Sequence, residues 1–249
     1  MKRANVIVGF LALAGMVGFF AFEELSQTTR AWVPPAPVTP NWAAIAAWPD
    51  RTSDSVQAVP DPNRRITAIV LDDSGSMGGQ MEPAKTAVIQ ALDAMAGTDR
   101  VAVVALNAGV IQPFTTVDEA RVTLPSVLRP IRSDGGTPLT RSVQRAQTLL
   151  EEEAAAVRGF GTFRLIVTTD GQADDGAALD AAIERVAATT PIQVTTIGIG
   201  ISGSHVLRRN DIGSFVDVAN VAALAEALQA AVAENTAFSA ITEFDGTEG

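Results

Sequence analysis

The chain has 249 residues, 47% hydrophobic and 18% charged, enough for one well-filled domain with appendages and too apolar for a disordered chain. A net charge of −10 and a pI near 4.6 exclude the Lys/Arg excess that non-specific nucleic-acid binding needs. With no cysteine, disulfides, thiol catalysis and Cys-ligated zinc are excluded as well.

In chain order, Met1-Lys2-Arg3 precedes an apolar segment, residues 4–22, broken only by glycines and Asn5. As a helix of ~1.5 Å per residue it would cross most of a bilayer's hydrocarbon core. A cleaved signal peptide has a shorter apolar stretch and small residues before the cut, whereas Phe19, Phe20 and Phe22 crowd this end. The expectation is an uncleaved transmembrane anchor within residues 1–25. Positive charge before the segment and Glu23-Glu24 after it place the N-terminus in the cytoplasm and the remainder across the membrane. Residues 26–63 read as a Pro/Trp-rich linker: Trp32 to Pro62 carries seven of the 13 prolines and all three tryptophans. Its Trp42–Trp48 stretch suits either a short helix folded onto the domain or rings at a membrane interface or partner.

From residue 64 to 236, short Val/Ile-rich runs alternate with helical patterns. Strands are expected at 66–72, 100–107, 110–116, 162–170, 192–200 and 214–219. Helices are expected at 82–97, 118–128 (interrupted by Pro125), 137–156, 176–188 and 221–234. This alternation predicts an α/β fold, a doubly wound, mostly parallel sheet covered by helices on both faces. Residues 237–249 read as an acidic, mobile tail. Glu151–Glu153 read as a solvated helix face, and Arg208-Arg209 as a surface pair.

Chemistry concentrates where predicted strands end. "VLDDSGSMGG" (70–79) places Asp72, Ser74 and Ser76 at alternate positions after a strand, so their oxygens can share a side of an extended loop. "SDGGTPLT" offers Thr137 and "VTTDGQADDG" offers Asp170. Two carboxylates and three hydroxyls are hard ligands, suited to Mg²⁺ over copper or zinc. Each segment also has a plain reading: a turn at 72–76, an N-cap at Thr137 with Pro138 opening the helix, and a turn at Asp170-Gly171.

Together the three segments resemble a von Willebrand factor type A domain with its metal-ion-dependent adhesion site, over roughly residues 64–234. The family's D-x-S-x-S stands as Asp72, Ser74 and Ser76, its threonine as Thr137 in "GGTPL", its second aspartate as Asp170 in "TDG". "TTIGIG" and "AALAEALQAA" are also similar to the family. Asp73 departs from it, and by alternation should point away from the cation. The resemblance implies metal-dependent protein–protein binding without turnover. An Asp or Glu of a partner would complete the shell of Mg²⁺, with Mn²⁺ or Ca²⁺ as alternatives. Anchor and domain together suggest a single-pass protein of a bacterial inner membrane, its domain in the periplasm or otherwise extracytoplasmic, within a larger assembly.

Two other readings differ in class. One is a structural subunit held through anchor and linker with the metal site idle. The other is a hydrolase, since Ser76, Asp170 and His205 follow the α/β-hydrolase chain order. Against the hydrolase, "SGSMG" misses the nucleophile-elbow spacing, and His205, the only histidine, lies in a polar stretch that suggests a solvated loop. A phosphoryl-accepting Asp72 lacks the second aspartate, replaced by Ser74. A phosphate-binding loop lacks GxxxxGK, the only lysines being Lys2 and Lys85.

Overall fold

The chain's architecture is described from a computed structural model, which covers residues 36–49 and 61–233. The apolar segment 4–22, Trp32 and the acidic tail lie outside the described residues. Among those described, no helix is long and apolar enough to cross a membrane. The chain divides between Pro37 and Val38, and every element below belongs to the second unit.

A short helix α1 (Trp42–Ala47) comes first, then β1 (Arg65–Leu71), α2 (Met81–Ala91), β2 (Arg100–Ala105), β3 (Gly109–Thr116), α3 (Val117–Leu128) and α4 (Leu139–Ala156). β4 (Thr162–Thr169), α5 (Gly176–Thr189), β5 (Gln193–Ile199), β6 (Gly213–Val218) and α6 (Leu224–Ala233) follow. The six strands form one sheet in the order β3-β2-β1-β4-β5-β6, parallel except for β3 against β2. That antiparallel pair follows from a connection too short for a crossover: parallel neighbours need a dozen or more residues.

Strand alternation divides the core into two layers. In β1, Ile69 and Leu71 enter one cluster with α2, α3 and α6, while Ile66, Ala68 and Val70 enter the other with α4 and α5. Burial of both faces is why the strands read as continuous apolar runs. Two helices depart from expectation. α2 ends at Ala91 and tightens into a 3₁₀ turn, Leu92–Ala94. α3 runs on through Pro125 uninterrupted. Pro125 removes one N–H, but a capping box between Thr116 and Glu119, and the buried stripe Val117, Ala120, Leu124 and Leu128, hold the helix.

At the end of the sheet where the parallel strands begin, Arg65 and Arg164 both donate to the carbonyl of Val232, at 3.1 and 2.9 Å, neutralising the carboxyl end of α6. The linker segment attaches at this same end. Asn41 N donates to Ala188 O at 2.7 Å, Val38 N to Asp211 Oδ2 at 2.9 Å, and Trp48 meets Phe163 edge-on with ring centroids 4.7 Å apart. Trp48 thus takes the folded-on role, whereas Trp42 is 72% exposed. The arginine pair divides too. Arg208 lies over Phe215 and pairs with Asp217 at the surface, but Arg209 is buried among Asp180, Glu184 and Asp211, so only Arg208 fits the surface reading. The acidic run on α4 is likewise not all solvated: Glu153 pairs with Arg100 at 2.7 Å.

Candidate metal centre

β1 and β4 are neighbours in parallel register, Val70 opposite Val167, and the strand order reverses between them. Their carboxyl ends therefore open at a switch point, where α/β sheets bind ligands. Asp72 leaves β1 there and Asp170 leaves β4. Thr168 stitches the two exits: its hydroxyl donates to Val70 O at 3.1 Å and accepts from Asp72 N at 3.2 Å.

Asp72 is fully buried. Its Oδ1 accepts from Ser74 N at 2.9 Å and its Oδ2 from Asp170 N at 3.3 Å. Ser74 Oγ lies 2.9 Å from Ser76 Oγ, and Ser76 Oγ donates to Asp170 Oδ1 at 2.7 Å. Because Ser76 has one proton and gives it to Asp170, Ser74 must donate to Ser76. Four residues foreseen from the sequence thus share one hydrogen-bonded cluster. Asp72 and Ser74 are buried at its base, while Ser76 is exposed and Asp170 half-buried at its mouth.

Thr137 arrives by a third loop. Gly75 N donates to Gly135 O at 3.1 Å and Asp134 N to Asp73 O at 2.9 Å, tying this loop to the first. Asp174 clamps it from the other side, accepting from Thr137 N at 2.9 Å and donating its own N–H to Thr137 O at 3.1 Å. The two glycines before Thr137 are there for space. A Cβ on Gly135, whose φ is +74°, would lie 2.6 Å from Asn107 Oδ1, and one on Gly136 would lie 2.7 Å from Asp174 Oδ2. Thr137 is not the helix cap its sequence suggests: α4 starts at Leu139 behind Pro138, without a side-chain cap. The Thr137 hydroxyl forms no hydrogen bond with the described residues.

Asp73 turns away from the cluster, as alternation requires. Its carboxylate is fully buried and accepts from Asn107 N at 2.7 Å and Ala108 N at 3.0 Å, holding the β2–β3 connection beside the site. Asn107 and Asp174 are supports that sequence reasoning does not single out, and for Asp73 it gives a direction but no role, because their partners lie far away in the chain. His205 corrects the solvated-loop expectation. It is buried, with Nδ1 accepting from Leu207 N at 3.1 Å and Nε2 3.0 Å from Gly171 O. Burial lowers its pKa, so the ring is neutral and braces the loop after Asp170. Both ring nitrogens are committed to backbone, so Ser76, Asp170 and His205 do not assemble a triad.

Electrostatically the cluster lacks a counter-ion among the described residues. Burial raises the pKa of Asp170, and the nearby charge of Asp72 raises it further, against the lowering effect of Ser76. No described Lys or Arg forms an ion pair with either acid. Among the described residues no group of three or more His, Cys, Asp or Glu is placed to hold a metal, so a cation here would depend on the hydroxyls as well. The residues fit such an ion: two unpaired acids, two linked hydroxyls and an idle third, all hard oxygens.

Residues 67–172 match the family model of the von Willebrand factor type A domain. No curated protein is matched significantly. Among solved structures, a von Willebrand factor type A protein from Catenulispora acidiphila aligns with a TM-score of 0.59 and 24% identity, over 69% of this chain and 42% of that one. Proximal thread matrix protein 1 of the mussel byssus, with a zinc-occupied MIDAS motif, aligns at 0.55 and 16%, over 70% of this chain and 48% of that one. The vWF domain of the type V pilus tip protein Mfa5 from Porphyromonas gingivalis aligns at 0.53 and 16%, over 69% of this chain and 94% of that one. The chain thus spans under half the length of the Catenulispora and mussel proteins. At these identities the likeness speaks for the fold. The sheet order, the two helical layers and the match over residues 67–172 together identify the described domain as one of von Willebrand factor type A fold.

Proposed function

We propose that the domain is a metal-dependent protein-binding module in which Asp72, Ser74, Ser76, Thr137 and Asp170 hold one divalent cation. The oxygen set favours Mg²⁺, with Mn²⁺ or Ca²⁺ as chemically similar occupants. A bound cation would supply Lewis acidity toward a carboxylate, so the ligand is an Asp or Glu side chain of a partner protein. The chain's residues do the rest: Asp72 and Ser74 form the buried base, Ser76 and Asp170 the mouth, and Asp73, Asn107 and Asp174 keep the loops in place. The reading is of a binding protein and not an enzyme. The observation that carries it is the proximity of a fully buried Asp72 to Asp170 with no cationic side chain among the described residues ion-paired to either. The zinc-occupied motif named for the mussel protein, and the pilus-tip role named for Mfa5, support a metal site and protein contacts for this fold.

We further propose that residues 4–22 anchor the protein in a bacterial inner membrane, N-terminus cytoplasmic and domain outside, as part of a larger assembly. Protease accessibility of the domain in intact and permeabilised spheroplasts checks the orientation. The test of the metal reading is isothermal calorimetry with MgCl₂ on wild type and Asp170→Ala, followed by pull-down of the full chain from detergent-solubilised membranes with and without EDTA. Heat of binding and a co-purified protein, both lost in the variant and in EDTA, are expected. A partner retained in excess EDTA overturns the reading.

A further inference from the structure

Beside the candidate metal centre lies a cleft of about 430 Å³ between the β2–β3 hairpin and α4. Its lining includes Leu106, Asn107, Val110, Arg141, Ser142 and Arg145, and no acidic side chain. Both arginines are exposed. Arg145 takes no part in any hydrogen bond or ion pair of the described residues, and Arg141 spends one N–H on Leu106 O at 3.4 Å. In a chain of net charge −10, two guanidinium groups line a cleft that has no acid among its described lining residues.

The cleft adjoins the loop that carries Thr137. Asn107 lines it and reaches across, its N–H donating to Asp73 Oδ1 at 2.7 Å and its side-chain amide to Gly136 O at 3.0 Å, next to Thr137. Arg141 and Arg145 follow Thr137 by four and eight residues, and both lie on α4, where this spacing keeps them on one face. A peptide whose carboxylate reaches a cation held beside Thr137 would therefore pass close to two arginines.

We propose that Arg141 and Arg145 form a second subsite for the same partner: a protein segment carrying several acidic side chains, one for the cation and the next for the guanidinium pair. This rests on the metal-dependent reading above and specifies its partner as an acidic segment, in contrast to an isolated Asp or Glu. Arginine suits the role because its planar fork binds carboxylates bidentately.

The test uses two fluorescein-labelled, end-blocked decapeptides, one with a single Asp among Gln and Gly, the other with three Gln replaced by Glu. Binding is read by anisotropy in MgCl₂ and in EDTA, with wild type, Asp170→Ala and the double variant Arg141→Gln/Arg145→Gln. Circular dichroism confirms the fold of each, and both arginines are exposed enough to leave it intact. Wild type in Mg²⁺ should bind the Glu-rich peptide about tenfold more tightly than the single-Asp peptide, a preference that shrinks with salt. The double variant should lose that preference and keep its affinity for the single-Asp peptide. Equal preference in wild type and double variant overturns the proposal, as does failure of wild type to bind the Glu-rich peptide, with Mg²⁺ calorimetry then reporting separately on the cation. If the preference depends on the arginines but survives EDTA and Asp170→Ala, the cleft stands and the cation reading falls.

Discussion

Asp72 and Asp73 are adjacent and equally buried, yet their carboxylates face different loops. Asp73 satisfies backbone donors of a distant loop, so Asp73→Ala leaves Asn107 N and Ala108 N without acceptors. It should cost roughly 2–4 kcal/mol, read by urea denaturation, with cation binding weakened as a consequence of loosened loops. Asp170 behaves differently because it sits near another carboxylate at the mouth. Asp170→Ala removes that repulsion and should leave stability in EDTA unchanged or slightly raised. It should also abolish the rise in melting temperature that Mg²⁺ gives wild type. At a concentration one hundred times the dissociation constant, that rise corresponds to about 2.7 kcal/mol.

At the scale of elements, Pro125 and the linker tryptophans separate local preference from tertiary support. Pro125 is exposed within α3, so Pro125→Ala restores a helix N–H with little loss of packing and should stabilise the protein by about 1–3 kcal/mol. The tryptophans should differ sharply. Trp48→Ala removes a ring packed on Phe163 and should cost roughly 2–3 kcal/mol, while Trp42→Ala should change stability by less than about 0.5 kcal/mol. The buried indole N–H of Trp48 has no acceptor among the described residues, so Trp48→Phe should be the milder change. Thermal or urea melts of the three variants distinguish these outcomes.

For the whole molecule, one contribution to acid stability comes from Asp211, just before β6. Arg209 binds Asp180, Glu184 and Asp211, and Val38 N donates to Asp211, which ties the linker segment to the domain. Its bonds to Arg209 hold Asp211 down to about 2, from an ordinary value of 3.8. The folded pKa is lower than the unfolded one. The stabilisation is therefore fully present above about pH 4 and is lost as pH falls toward 2. Asp211→Asn should flatten the pH dependence of stability in that interval, measured by urea melts between pH 5 and 2.

Much of this protein was legible in the chain itself. Continuous apolar strands alternating with amphipathic helices specify a two-faced parallel sheet, because period and burial are local properties of sequence. Asp72, Ser74, Ser76 and Asp170 could be picked out since each follows a strand, and strand ends are where such sheets bind ligands. Other features depend on which distant groups meet. The same residue type accepts backbone donors at Asp73, faces a second acid at Asp170 and clamps Thr137 at Asp174, and only the packing of three loops decides which. Thr137 reads locally as a helix cap, yet the fold starts α4 two residues later and leaves its hydroxyl without a partner among the described residues. His205 and Arg209 sit in polar stretches that look solvated, but loop packing buries them. Hydrogen-bond partnership and burial arise from contacts between residues far apart in sequence, and no local pattern encodes them.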